Sequence, residues 1–163
     1  MSNETLKVSQ RKTKLGLRRF AYILLVVVTL LVAFAASNVR SEEVGAPRAL
    51  IGGQAFQIEV MNTPELRTQG LSGRESLAPN QAMVFVFPEN DIHCFWMKDM
   101  NFPIDIVWLD AKQQVMHIQE GVRPETYPMQ FCPPSESRYV VEYMSGMTES
   151  IGLEVGDRVD IRY

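Results

Sequence analysis

Hydrophobic side chains follow two regimes along this chain. From Phe20 to Ala36 they are nearly continuous, FAYILLVVVTLLVAFAA, with Thr29 and the Tyr22 hydroxyl as the polar interruptions. Beyond residue 47 they recur over short runs at every second position, the period of strands with one buried and one wet face. Phe56, Ile58 and Val60 alternate in this way with Gln57 and Glu59. Gly52-Gly53 precedes that run and predicts a hairpin with arms Arg48–Ile51 and Gln54–Val60. Asn62-Thr63-Pro64-Glu65 reads as a helix start, with Thr63 as cap and Pro64 in the first turn, and Gly70 ends the helix.

Further along, Leu71 to Ala82 reads as a loop and Met83 to Phe87 as a buried strand. Pro88 to Asp91 reads as a turn and His93 to Lys98 as a strand. Ile104–Leu109 and Val115–Gln119 predict a second hairpin. Pro124, Pro128, Pro133 and Pro134 make Glu120 to Ser137 a long loop of the kind that often carries function. Arg138–Tyr143 and Arg158–Tyr163 complete the strands, with a helical turn over Ser145–Ile151. Many short strands without βαβ alternation predict an all-β domain over 48–163, a sandwich or a barrel with one or two short helices.

Charge separates the first segment from the rest. Residues 1–36 carry a net charge of +5 and the remaining 127 a net charge of −8. An acidic domain gives a phosphate backbone little to hold, so nucleic acid is not an expected partner. The basic segment 1–19 followed by the apolar run 20–36 predicts a single-pass signal anchor, with the amino terminus in the cytoplasm and the domain outside. Ala33-Phe34-Ala35 offers the alternative of cleavage after Ala35, which would leave a periplasmic or secreted protein. Residues 37–47 read as a tether. The expected partners are therefore the membrane, through residues 20–36, and a ligand or protein of the cell envelope. Cys94 and Cys132, an even pair in an exported domain, are expected to form a disulfide.

The richest stretch runs from Cys94 to Ile106. Strand alternation puts Phe95 and Met97 on one face and Trp96 and Lys98 on the other. This predicts a polar binding surface with Trp96 as platform, Lys98, Asp99 and Asp105 as charged contacts, and Arg74 contributed by its loop. Other chemistries stay open beside it. Asp105, Glu142 or His93 would serve a hydrolase as acid or base, and His93, Cys94, Met97 and Met100 offer soft ligands for copper. Two ordinary surface histidines and core-filling methionines account for the same residues, so no metal and no cofactor is expected. Gly70-Leu71-Ser72-Gly73 falls short of the G-x-S-x-G nucleophile elbow.

The run Phe95-Trp96-Met97-Lys98-Asp99-Met100, followed by Pro103-Ile104-Asp105-Ile106, resembles the signature of the domain of unknown function 192 family. Gly70-Leu71-Ser72-Gly73-Arg74 is similar to that family's Gly-Leu-Met-x-Arg segment, with Ser72 at the Met position. Glu142 and Gly156-Asp157 match further positions, and the resemblance covers about residues 54–163. It implies a compact β-sandwich-like domain and no established activity.

Overall fold

In the computed structural model, residues 46–163 are described, together with Val28 alone from the preceding segment. The expected anchor over 20–36, the basic segment and most of the tether lie outside the described residues. No helix among the described residues is long and apolar enough to cross a membrane.

Within residues 46–163, nine strands and two short α-helices follow in order, with one 3-10 turn at Pro124–Thr126. They are β1 (Arg48–Ile51), β2 (Gln54–Met61), α1 (Pro64–Gln69), β3 (Gln81–Asp91), β4 (Phe95–Trp96), β5 (Ile104–Leu109), β6 (Val115–Val122), β7 (Gln130–Phe131), β8 (Ser137–Met144), α2 (Met147–Ser150) and β9 (Asp160–Arg162). Seven form one sheet in the order β6-β5-β8-β3-β2-β1-β9, and β4 pairs with β7 in a separate ribbon. All pairs are antiparallel except β2 with β3. The outer strands then meet. Gln114 bridges Arg158, Val115 N donates to Asp157 O at 2.8 Å, and Val159 N donates to Gln113 O at 2.9 Å. The sheet is thus drawn round into a barrel.

Alternation fills both sides of this sheet. Phe56, Ile58, Val84, Val107, Val141, Tyr143 and Ile161 form the inner core. Their neighbours Met83, Phe85, Ile106, Trp108 and Val140 face outward into a second core. That core is covered by Leu71, Leu77, Met97 and Phe102, all buried, so the loops on this side are part of the packing. Burial of both faces explains why β5 (IDIVWL) is uniformly buried and reads as a continuous apolar run.

Several expected elements hold and others shift for identifiable reasons. Gly52 and Gly53, at φ 53° and 78°, make the predicted tight turn between β1 and β2. Thr63 caps α1 by accepting from Leu66 N, and Pro64 occupies its first turn. Residues Pro88–Asp91, expected to turn, continue β3 instead. The β3–β8 register is interrupted between Val86 and Asp91, so the missing proline N–H breaks no regular ladder there. The expected strand His93–Lys98 contracts to the two residues of β4, because its partner β7 is equally short. β6 runs on to Val122, beyond the expected end, through a bulge at Gly121 (φ 62°) where the register with β5 shifts. The expected final strand narrows to β9, with Arg158 left in its isolated bridge.

The disulfide is present. Cys94 and Cys132, 38 residues apart, are bonded, which staples the β4–β7 ribbon at one end.

Candidate functional site

The Gly70–Arg74 loop and the Trp96–Asn101 turn are far apart in sequence and fastened to each other in space. Gly73 N donates to Asp99 O at 2.8 Å, Ser72 Oγ donates to Lys98 O at 3.0 Å, and Asn101 Nδ2 donates to Arg74 O at 2.9 Å. Asp99 adopts φ 57°, a left-handed conformation that turns its carbonyl towards the loop. Arg74 then grips β2 through two hydrogen bonds to Glu59, at 2.6 and 2.7 Å. That pairing holds the Glu59 carboxyl below its usual range and raises the guanidinium in turn. Arg74 is therefore engaged in fastening the loop, and it lines neither of the two concavities beside α1.

Trp96 stands between two concavities beside α1. It is 50% exposed and meets Tyr127 edge-on, with ring centroids 5.9 Å apart. Phe95 is half-buried and Met97 fully buried, so alternation assigned the faces of this segment correctly. The wider concavity, about 700 Å³, gathers Trp96, Lys98 and Asp99 with Glu65, Thr68, Ser72 and Gly73. Three of the five expected site residues thus share one surface.

Asp105 is a correction to that set. It is fully buried and accepts four hydrogen bonds. These come from Gly121 N at 2.9 Å, Gly146 N at 2.9 Å, Thr148 N at 3.2 Å and Thr148 Oγ1 at 2.9 Å. A carboxylate saturated by fixed donors joins the β6 bulge to the α2 turn and lines neither concavity. The copper ligands do not converge either, since the Cys94 sulfur is in the disulfide and Met97 is in the core.

The second cavity, about 510 Å³, lies between α1 and the segment Ile92–Trp96. Phe85, Phe87, Phe95 and Trp96 contribute aromatic wall, and Gln69, Gln130, Arg67 and His93 contribute polar groups. Its deepest chemistry is Glu142, from the middle of β8 between Met83 on β3 and Ile106 on β5. Glu142 is 5% exposed and its Oε2 has no hydrogen-bond partner. Burial without a compensating donor pushes its carboxyl up to about 8, so the group is mostly protonated at neutral pH.

His93 stacks on Phe87 with ring centroids 3.5 Å apart, and its Nε2 lies 3.3 Å from Glu89 O, where it donates. Desolvation lowers its pKa, against the pull of the Glu89 carbonyl and the Asp91 charge. Arg67 lies over the other reach of Phe87, 5.2 Å from the ring centroid, and its Nη1 donates to Val86 O at 2.9 Å. Sequence reading named Glu142 as an acid without placing it in a cavity. The available signal was a lone carboxyl in the apolar run Val140-Val141-Glu142-Tyr143-Met144. Arg67 carried no such signal, because a two-turn helix has too little periodicity to show which face is covered.

The fold and this cavity define a small barrel domain with a lateral ligand-sized pocket. A family model, DUF192 ("Uncharacterized ACR"), matches residues 48–161, and the chain belongs to that family. A UPF0127 protein of Thermococcus gammatolerans is 33% identical over 85 residues, 49% of this chain, and the match spans about half (51%) of that relative's length. Crystal structures from Sinorhizobium meliloti and Novosphingobium aromaticivorans each superpose with a TM-score of 0.66 at 25% identity. They cover 71% and 70% of this chain, and 91% and 83% of those chains respectively. The first is named as a candidate transcription regulator and the second as a protein of unknown function.

Proposed function

We propose that this protein is an exported binding domain of the cell envelope that receives a small ligand in the cavity above Glu142. The observation that carries the reading is the unpartnered Glu142 Oε2 among aromatic walls. A buried polar atom without a partner costs about 1–3 kcal/mol, a cost that a bound ligand offsets by supplying the hydrogen bond. Trp96, backed by Tyr127, stands at the edge of this cavity, and Lys98 and Asp99 extend the surface into the neighbouring concavity. The apolar segment 20–36 and the disulfide support placement outside the cytoplasm.

A carboxyl raised to about 8 is also the kind of group a hydrolase uses as general acid. The rest of the lining favours binding. Glu142 is the one carboxyl that lines this cavity, whereas glycoside hydrolysis needs two. Both hydroxyls are engaged with the backbone, Ser72 donating to Lys98 O and Thr68 to Pro64 O, and neither is paired with His93. An activated nucleophile needs such a base in contact.

Trp96→Ala tests the binding surface. Because the indole is half exposed, the expected stability loss in denaturant melts is within about 1 kcal/mol, with binding of envelope-extract components abolished. A stability loss of about 3–5 kcal/mol would make Trp96 a packing residue and remove it from the site. A reporter fused after Tyr163 should report export, and a cytoplasmic signal would overturn the placement.

A further inference from the structure

The reading of the cavity as a ligand site leaves the ligand's chemistry open, and three of its groups restrict it. Arg67 is held in place by its bond to Val86 O and by the Phe87 ring, and none of the carboxylates among the described residues lies within ion-pair distance of it. His93 is stacked and donates through Nε2, and desolvation disfavours its charged form. Glu142 is flanked across the sheet by Met83 and Ile106, which supply no countercharge. With Cys94 in its disulfide, Arg67, His93 and Glu142 are the titratable side chains of this cavity. The protonated acid and the guanidinium both present donors. The one formal charge on the lining at neutral pH is positive.

We infer that the cavity takes a small organic carboxylate with an apolar body, its anion held by the Arg67 guanidinium and by a hydrogen bond donated from the Glu142 carboxyl. The aromatic walls receive the apolar body. Guanidinium–carboxylate recognition is strong because both partners are charged and the fork geometry matches. A cationic amine would meet Arg67 as a like charge. It would bind only with an ionised Glu142, so the two ligand classes depend on pH in opposite directions.

The inference rests on the proposed binding site, and three probes of similar shape separate the two. 3-Phenylpropionate, 3-phenylpropanamide and 3-phenylpropylamine are titrated calorimetrically into the full-length protein. The carboxylate should bind at least about tenfold tighter than the amide, and the amine should be weakest. As pH rises past about 8, carboxylate affinity should fall by about tenfold per pH unit, because the ionised Glu142 no longer donates and repels the anion. Glu142→Gln keeps a donor and should bind the carboxylate without that fall. Arg67→Gln, a partly exposed position on α1, should weaken the carboxylate by about tenfold and the amide little. Equal or tighter binding of the amine or amide, or affinity that rises with pH, would overturn the carboxylate assignment and leave the cavity as a binding site. Failure of all three probes to bind would overturn both.

Discussion

Replacing Glu142 with glutamine should make the protein more stable than wild type at alkaline pH and nearly equal to it at acid pH. The sign follows from the direction of the shift. Folding raises the Glu142 carboxyl from 4.5 to about 8, so between these values the folded state holds a proton that the unfolded chain has released. The stability this group contributes is fully present below about 4.5 and is lost progressively as pH rises through about 8. At about 1.4 kcal/mol per pKa unit, the loss across that window is on the order of 3–5 kcal/mol. Glutamine cannot ionise, so the variant lacks this loss. Other groups, including the depressed His93 and Glu59, titrate in both proteins and cancel in the comparison. Urea melts of both proteins at a series of pH values measure the difference. Parallel stability profiles would mean that the carboxyl is solvated, and the cavity would lose its one unsatisfied polar atom.

Asp105→Ala should cost about 3–5 kcal/mol and leave ligand affinity of the folded protein unchanged. The change strands three backbone amides aimed at the missing oxygens, while the Thr148 hydroxyl retains Glu120 Oε1 at 2.9 Å as acceptor. Their convergence fixes the Gly121 bulge and the start of α2, neither of which lines the two concavities beside α1. Asp105→Asn keeps one acceptor oxygen and should fall between wild type and alanine. Denaturant midpoints with calorimetric titration of the folded protein give both quantities. A stability loss below about 1 kcal/mol accompanied by lost binding would return Asp105 to the ligand surface.

The contrast between these two acids shows what pattern reading reaches and where it stops. Strand alternation assigned Trp96 outward and Met97 inward, because that relation is local and the pleat enforces it. It also called the β-class, the β1–β2 hairpin and the cap of α1, which are set by neighbouring residues. Asp105 reads as a ligand contact because it shares the short Cys94–Ile106 stretch with Trp96 and Lys98. Its four donors come from residues 121, 146 and 148, and no local rule brings those segments to one carboxyl. Glu142 has the same origin in reverse. It stands out in an apolar strand, but whether a helix, a loop or open space lies above it depends on how α1 and the β4–β7 ribbon fold over the sheet. The fastening of Gly70–Arg74 to Trp96–Asn101 is likewise invisible along the chain, although each segment is conspicuous by itself.

β1 lies beside β9, with Arg48 opposite Arg162, and the inner core takes Ala49 from one and Ile161 from the other. The wall is completed between strands more than a hundred residues apart, so the barrel has no finished form until nearly the whole segment is available. A chain ending before β9 would lack the partner of Arg48–Leu50 and would leave Ala49 of the inner core without Ile161 opposite it.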